Sequence, residues 1–176
     1  MHVTGGQYKG HKIIIPNCAK PTLSKTREGV FNVLYSILDT FNDKIFVDLF
    51  SGSGIMSLEA LSRGFKTITI DKNPKAINSI KLNLKIAKTG FEIYKLDALD
   101  FVKKTDVKPD VVYIDPPWDM DYKIIIENCI KKFKDAIIII EYDKKKAQDF
   151  AQIYAQNTMP FKEKVYGRCK LDFIKP

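Results

Sequence analysis

Apolar positions along the chain alternate between two periods. Residues 22–41 carry Val30, Val33, Leu34, Ile37, Leu38 and Phe41 at helical spacing, which predicts an opening helix. Short, nearly continuous apolar runs follow at 45–50, 67–71, 91–96, 111–115 and 136–142. Each is too short for a stable helix and predicts a buried strand. Between them lie stretches of helical period. Residues 55–63 are closed by Gly64, and 74–88 start with Asn73 as cap and Pro74 at the first position, with Gly90 beyond the end. Further helices are predicted at 122–133 and 144–156. Two last apolar runs, 161–166 and 170–174, are separated only by a turn at Gly167-Arg168, the signature of an antiparallel hairpin. At the front, residues 2–16 surround Gly5-Gly6 and Gly10 and read as a short β-hairpin or extended arm.

Strand and helix in alternation imply a mostly parallel, seven-stranded α/β sheet with right-handed crossovers, ending antiparallel. We divide the chain into a basic arm or hairpin over residues 1–21 and one α/β domain over 22–176. In such a sheet ligands bind at the carboxyl ends of the strands, beside the point where strand order reverses. The polar signatures of this chain fall there.

The first buried strand passes through Asp48 and Phe50 into Ser51-Gly52-Ser53-Gly54 and then opens a helix. Glycines let the backbone approach a ligand, and a helix N-terminus favours anionic groups. The same glycines also suit an ordinary tight turn. As a dinucleotide fingerprint the segment fails, because Ser57 stands where a third glycine belongs. Asp71 ends the second strand, where a carboxylate can accept both hydroxyls of a ribose. Asp97 follows the third strand, where an acid can accept from an adenine amine while the N–H of Ala98 donates to the ring. Each acid taken singly is more often a helix cap or loop residue. Three of them at three successive strand ends, beside a glycine loop, point to one adenosine site.

The fourth strand ends in Asp115-Pro116-Pro117-Trp118. Proline stops a strand and restricts its predecessor, so a stiff turn is the plain reading. The combination also suits a planar base with an exocyclic amine. Asp115 and the carbonyl of Pro116 can accept both amine hydrogens, turning the nitrogen lone pair toward an electrophile. Trp118 offers a face for stacking, worth roughly 1–3 kcal/mol per base. A base handled this way must leave its stack.

Charge changes the picture next. The chain has 29 Lys and Arg against 21 Asp and Glu, a formal charge of +8. Residues 1–27 hold five cations and no acid, and 159–176 five cations against two acids, so 28–158 are neutral. A lysine-rich bias and a footprint for a polyanion both fit this distribution, and charge alone does not choose between them. Cys18, Cys129 and Cys169 form neither a disulfide framework nor a zinc spacing, and His2 and His11 are the only histidines, so no metal is expected. The longest apolar run, at 136–140, is too short to span a bilayer, and the first residues lack the apolar core of a secretory signal. A cytoplasmic protein follows as the expectation, with a monomer favoured by size.

Asp48-Leu49-Phe50-Ser51-Gly52-Ser53-Gly54 through Leu58-Glu59-Ala60-Leu61-Ser62-Arg63-Gly64, together with Asp115-Pro116-Pro117-Trp118, resembles a class I S-adenosylmethionine-dependent methyltransferase. The opening Val3-Thr4-Gly5-Gly6-Gln7-Tyr8-Lys9-Gly10, the segment Lys20-Pro21-Thr22 … Arg27-Glu28-Gly29-Val30-Phe31-Asn32 and the closing Tyr166-Gly167 hairpin narrow the resemblance. They are similar to the bacterial small-subunit (16S) rRNA guanine-N2-methyltransferase family of the RsmD type. The resemblance implies a Rossmann-like fold and S-adenosylmethionine as cofactor, held by Asp48, Phe50, Gly52, Ser53, Gly54, Asp71, Asp97 and Ala98. It implies a target base held by Asp115, Pro116, Pro117 and Trp118. The chain departs from the family at His2 and His11, where arginine is more usual, at Gly29, at Asp71 in place of glutamate, and at Trp118 in place of tyrosine or phenylalanine. The partner implied is small-subunit rRNA or an assembling small subunit, with Lys9, Lys12, Arg27 and Arg168 as phosphate contacts. DNA adenine-N6 or cytosine-N4 methylation uses the same aligned-amine chemistry, but the chain has no obvious target-recognition domain. A ribosome-assembly protein without catalysis is the alternative from another class. Glu59 reads either as a support for the glycine loop or as an ordinary helix-face acid.

Overall fold

The computed structural model describes residues 1–17, 19, 22–117 and 120–176; Trp118 and Cys18 lie outside the described residues, as do Lys20 and Pro21 at the arm boundary. Helix α1 (Ser24–Tyr35) leads into β1 (Ile45–Asp48), α2 (Ile55–Ser62), β2 (Lys66–Asp71), α3 (Pro74–Leu84) and β3 (Phe91–Lys95). Then come α4 (Ala98–Lys104), β4 (Val111–Ile114), α5 (Lys123–Lys132), β5 (Ile137–Asp143), a 3₁₀ turn (Lys144–Lys146), α6 (Ala147–Ala155), β6 (Lys162–Tyr166) and β7 (Cys169–Ile174). The seven strands lie in the order β3-β2-β1-β4-β5-β7-β6. The first five pair in parallel; β7 pairs antiparallel with both β5 and β6. This is the mostly parallel sheet with an antiparallel end that the alternating pattern predicts. Strand order reverses between β1 and β4, opening a crevice above their carboxyl ends.

Period-two alternation splits the strand side chains between two cores. Phe46, Val111, Tyr113, Ile139, Leu171 and Phe173 face the α1–α3 layer, packing with Val30, Phe31, Leu34, Leu58 and Ile80. Val47, Val112, Ile114, Ile138 and Ile140 face α4–α6, packing with Phe101, Ile125, Ile126 and Phe150. Because the central strands are covered on both faces, their sequences are apolar throughout rather than alternating. Burial of one such side chain contributes roughly 1.5–3 kcal/mol.

The structure alters four expectations. Helix α1 stops at Tyr35, because the following residues turn polar at Asp39, Thr40, Asn42 and Asp43; Phe41 still reaches the core from the loop. Helix α3 ends at Leu84, and Ala87 N–H closes the turn onto Leu84 O at 3.0 Å. The stretch expected as one helix from 144 begins as a 3₁₀ turn, with Asp143 capping Lys145 N–H. Helix α4 escapes the apolar pattern altogether. It spans seven residues, and its start is set by Asp97 Oδ1 accepting from Leu99 N–H at 3.0 Å.

The arm folds back on itself as a short hairpin: Val3 N–H donates to His11 O at 3.0 Å, Gly10 N–H to Val3 O at 2.9 Å and Ile13 N–H to Met1 O at 3.1 Å, around an antiparallel bridge between His2 and Lys12. It is fastened to the domain, burying Val3 and Ile13. Gly6 sits at φ +77°, and a Cβ there would lie 1.8 Å from Ser62 O, so no side chain fits where the arm crosses α2. The neighbouring Gln7 N–H donates to that carbonyl at 2.7 Å.

Candidate active site

A cavity of about 480 Å³ opens above the reversal point, lined from the ends of β1 to β5. It lies within the roughly 300–1,000 Å³ expected of a small-molecule site. Nearly every residue expected from the sequence to hold the cofactor lines it: Asp48, Phe50, Gly52, Ser53, Asp71, Asp97 and Ala98. Asp115, Pro116 and Pro117 line it too, so both ends of the expected chemistry share one space.

At the cofactor end the glycine loop is shaped by its own bonds. Gly54 caps α2 at φ +77°, and a Cβ there would press against Ile80 at 3.2 Å. Gly54 therefore shapes the loop from behind rather than lining the cavity. Gly52 N–H donates to Asp71 Oδ2 at 2.9 Å, and Asn73 N–H donates to Asp71 Oδ1 at 2.8 Å. Both oxygens are thus fixed at the cavity wall, and each retains a lone pair for a ligand hydroxyl. Asp97 combines the two roles the sequence left open. It caps α4 and pairs with Lys72 at 3.3 Å, yet still lines the cavity beside Ala98.

Asp48 is buried below the loop. It accepts from Ser57 Oγ at 2.8 Å, and Ser57 in turn accepts from Thr69 Oγ1 at 2.9 Å. Loss of water pushes its carboxyl up to about 7, against the hydroxyl bonds that favour ionisation.

Several residues that shape the site are not apparent in the apolar pattern. Asn83, buried on α3, donates to Ser53 O at 2.8 Å and exchanges bonds with the Ile14 backbone at 2.7 and 2.8 Å, tying the arm to the glycine loop. Tyr113 and Glu141 form part of the cavity wall near Asp115, and the Tyr113 hydroxyl donates to Glu141 Oε2. Glu141 carries one sequence signal, an acid directly after the apolar run of residues 137–140, although β5 continues through it to Asp143.

The four cations expected to contact phosphate separate. Lys9 and Lys12 are exposed on the arm. Arg168 sits on the surface of the tail hairpin with Asp143, whose carboxyl the guanidinium holds below its usual range. Arg27 is a correction: it is 0% exposed and its guanidinium is spent inside the protein. Its Nε donates to Glu59 Oε1 at 2.9 Å and its Nη2 to His2 O at 2.9 Å. A guanidinium enclosed in that way does not reach a phosphate on an external partner. Glu59, also 0% exposed, therefore anchors the arm and does not support the glycine loop.

Comparison with known proteins places the chain in a family. A family model described as "conserved hypothetical protein 95" matches residues 1–175. The chain belongs to this family, the RsmD family. Among its relatives, ribosomal RNA small subunit methyltransferase D of Buchnera aphidicola (subsp. Acyrthosiphon pisum) is 34% identical, over 84% of this chain and 80% of that protein. The Haemophilus influenzae protein of the same name is 30% identical over 95% and 89%. Among solved structures, a Thermus thermophilus protein described as hypothetical superposes with a TM-score of 0.83 at 20% identity, covering 100% of this chain and 99% of that one. An Escherichia coli protein provisionally described as a methyltransferase gives 0.78 at 23% identity, over 98% and 96%. The RsmD-family chain thus has the Rossmann-like methyltransferase fold. Among the described residues no cluster of side chains could hold a metal, and no helix is long and apolar enough to cross a membrane.

Proposed function

We propose that the chain transfers a methyl group from S-adenosylmethionine to the exocyclic N2 amine of a guanine in small-subunit rRNA. The observation that carries this reading is one cavity lined both by the Asp71–Asp97 end and by Asp115-Pro116-Pro117. The residues present fit the cofactor. Asp71, its oxygens held by two backbone N–H groups, offers acceptors for a ribose, and Asp97 with Ala98 offers an acceptor and a donor for adenine. When bound, S-adenosylmethionine supplies a methyl group on a positively charged sulfur, already activated for transfer.

The protein's part is position. Asp115 and the Pro116 carbonyl accept the two amine hydrogens, leaving the nitrogen lone pair directed into the cavity toward the cofactor end. As the amine becomes cationic, the Asp115 carboxylate stabilises the charge and takes a proton, or passes it to water. Trp118 stacks on the base. Outside the cavity, Lys9, Lys12 and Arg168 contact rRNA phosphates.

The test is transfer of radiolabelled methyl to hypomethylated small subunits, naked rRNA and DNA, followed by nucleoside analysis. Label in N2-methylguanosine is expected. Label in N6-methyladenine or N4-methylcytosine instead overturns the substrate, and no label with bound cofactor overturns the reaction.

A further inference from the structure

The proposed reaction gives no step to Glu141, a buried acid of the cavity wall. Glu141 follows the run Ile137 to Ile140 inside β5, two residues before the strand ends, and is 7% exposed. It stands one residue beyond the last β4–β5 pair, Ile114 with Ile140. That places it beside Asp115 across adjacent strands, which run roughly 4.8 Å apart. Its carboxylate receives the Tyr113 hydroxyl and lines the same wall as Asp115, Pro116 and Pro117. Glu141 and Asp115 act together on their surroundings, since both help push the Tyr113 hydroxyl and the Cys169 thiol up.

A brace between strands explains this poorly. β4 and β5 are already paired over four residues, and an apolar pair would hold them without desolvating a charge. A carboxylate has about four acceptor sites, so the bonds from the Tyr113 hydroxyl and the Cys169 thiol orient it and still leave capacity for a ligand. Guanine carries an N1–H donor directly beside its N2 amine. Adenine at N1, beside N6, and cytosine at N3, beside N4, carry acceptors instead. A second carboxylate next to the one that holds the amine therefore attracts guanine and repels the other two.

Building on the guanine-N2 reading, we infer that Glu141 is the specificity-determining residue for the base: it accepts the N1–H of guanine while Asp115 and Pro116 hold the amine, and Tyr113 positions its carboxylate.

The experiment uses small subunits reconstituted with rRNA carrying guanine or 2-aminopurine at the methylated nucleotide. 2-Aminopurine keeps the 2-amine but has no N1–H. Wild-type kcat/KM should favour guanine by about 10- to 100-fold, the range expected for one hydrogen bond to a charged group. Glu141→Gln should narrow that ratio to within about threefold by slowing guanine, with cofactor affinity unchanged. 2-Aminopurine also lacks the 6-oxygen, but that loss is common to both enzymes and cancels in the comparison. Tyr113→Phe should narrow the ratio only in part, because the carboxylate remains and loses one orienting bond. Equal wild-type rates on both bases, or an undiminished ratio in Glu141→Gln, overturns the inference. Equal narrowing in Tyr113→Phe and Glu141→Gln assigns Glu141 to the brace and overturns it too. If Glu141→Gln is unstable, Glu141→Met supplies the same comparison. Absence of N2-methylguanosine from the wild-type reaction is a different result, and it is the guanine-N2 reading that then fails.

Discussion

Two buried carboxylates, Glu59 and Asp48, lie on the same side of the sheet and are treated in opposite ways. Glu59 is saturated by strong donors. Thr4 reaches it through N–H and hydroxyl, both at 2.8 Å, Arg27 through Nε at 2.9 Å, and Arg63 through Nη1. Asp48, beneath the glycine loop, is met by the Ser57 hydroxyl and is pushed up toward neutrality. An acid enclosed by two guanidinium groups is architecture: it is neutralised, immobile and holds the arm onto α1 and α2. An acid at a cavity wall with hydroxyl partners is sensitive to whatever enters or titrates beside it. The same contrast separates Arg27, which fastens the arm, from Lys9 and Lys12, which the arm carries outward.

The largest effect should come from the reactive side of this divide. Asp115→Ala should lower methyl transfer by about 100-fold or more, the scale of a positioned acid–base group, while cofactor affinity by calorimetry is retained. A variant with the wild-type rate would remove Asp115 from the mechanism. On the architectural side, Glu59→Ala strands two arginines in the interior. Urea denaturation should show a loss of about 3–5 kcal/mol, as expected for breaking a buried pair. A loss below about 1 kcal/mol, the size of a surface pair, would put Glu59 with the exposed acids.

Asp48 should reveal itself through pH. Burial sets its folded value near 7, above its ordinary 3.8, so the folded protein holds a proton that the unfolded chain has released. Its contribution to stability is therefore complete below the ordinary value and is lost as pH rises through about 7. Asp48→Asn should flatten that decline, seen as a smaller fall in Tm between about pH 4 and 7.5, the span between the ordinary and the folded values. Parallel pH profiles for the two proteins would contradict it. The smallest effect belongs to the outer cations. Lys9→Glu with Lys12→Glu should weaken rRNA binding and make its salt dependence shallower, by a slope of about 1 or more, leaving cofactor affinity alone. Arg27→Ala should instead lower Tm; an effect confined to the salt slope would return Arg27 to the RNA surface.

Much of the sheet was legible because buried parallel strands are continuous apolar runs, and 111–114 and 137–140 can be little else in a chain of this kind. Helix α4 was not, since two turns capped by Asp97 carry too short a stripe to show a period. At the site, Asp71, Asp97 and Asp115 stood out as acids at strand ends. Glu141 follows an apolar run in the same way, but its strand continues past it to Asp143, so no strand end marks it. Asn83 gives no local signal, because its partners Ser53 and Ile14 are 30 and 69 residues away.

Taken by itself, the order of residues determined the alternation of elements, the polar strand ends and the clustering of positive charge at both termini. Those are local properties: period, capping and composition act within a few residues. Which charges face water is not local. Arg27 and Lys9 are both cations of the basic opening, and only the crossing of the arm over α2, possible because Gly6 lets it press onto Ser62, encloses the one with Glu59 and leaves the other exposed. Tertiary packing made that choice, since the cost of burying a guanidinium is met only where a distant carboxylate is buried with it.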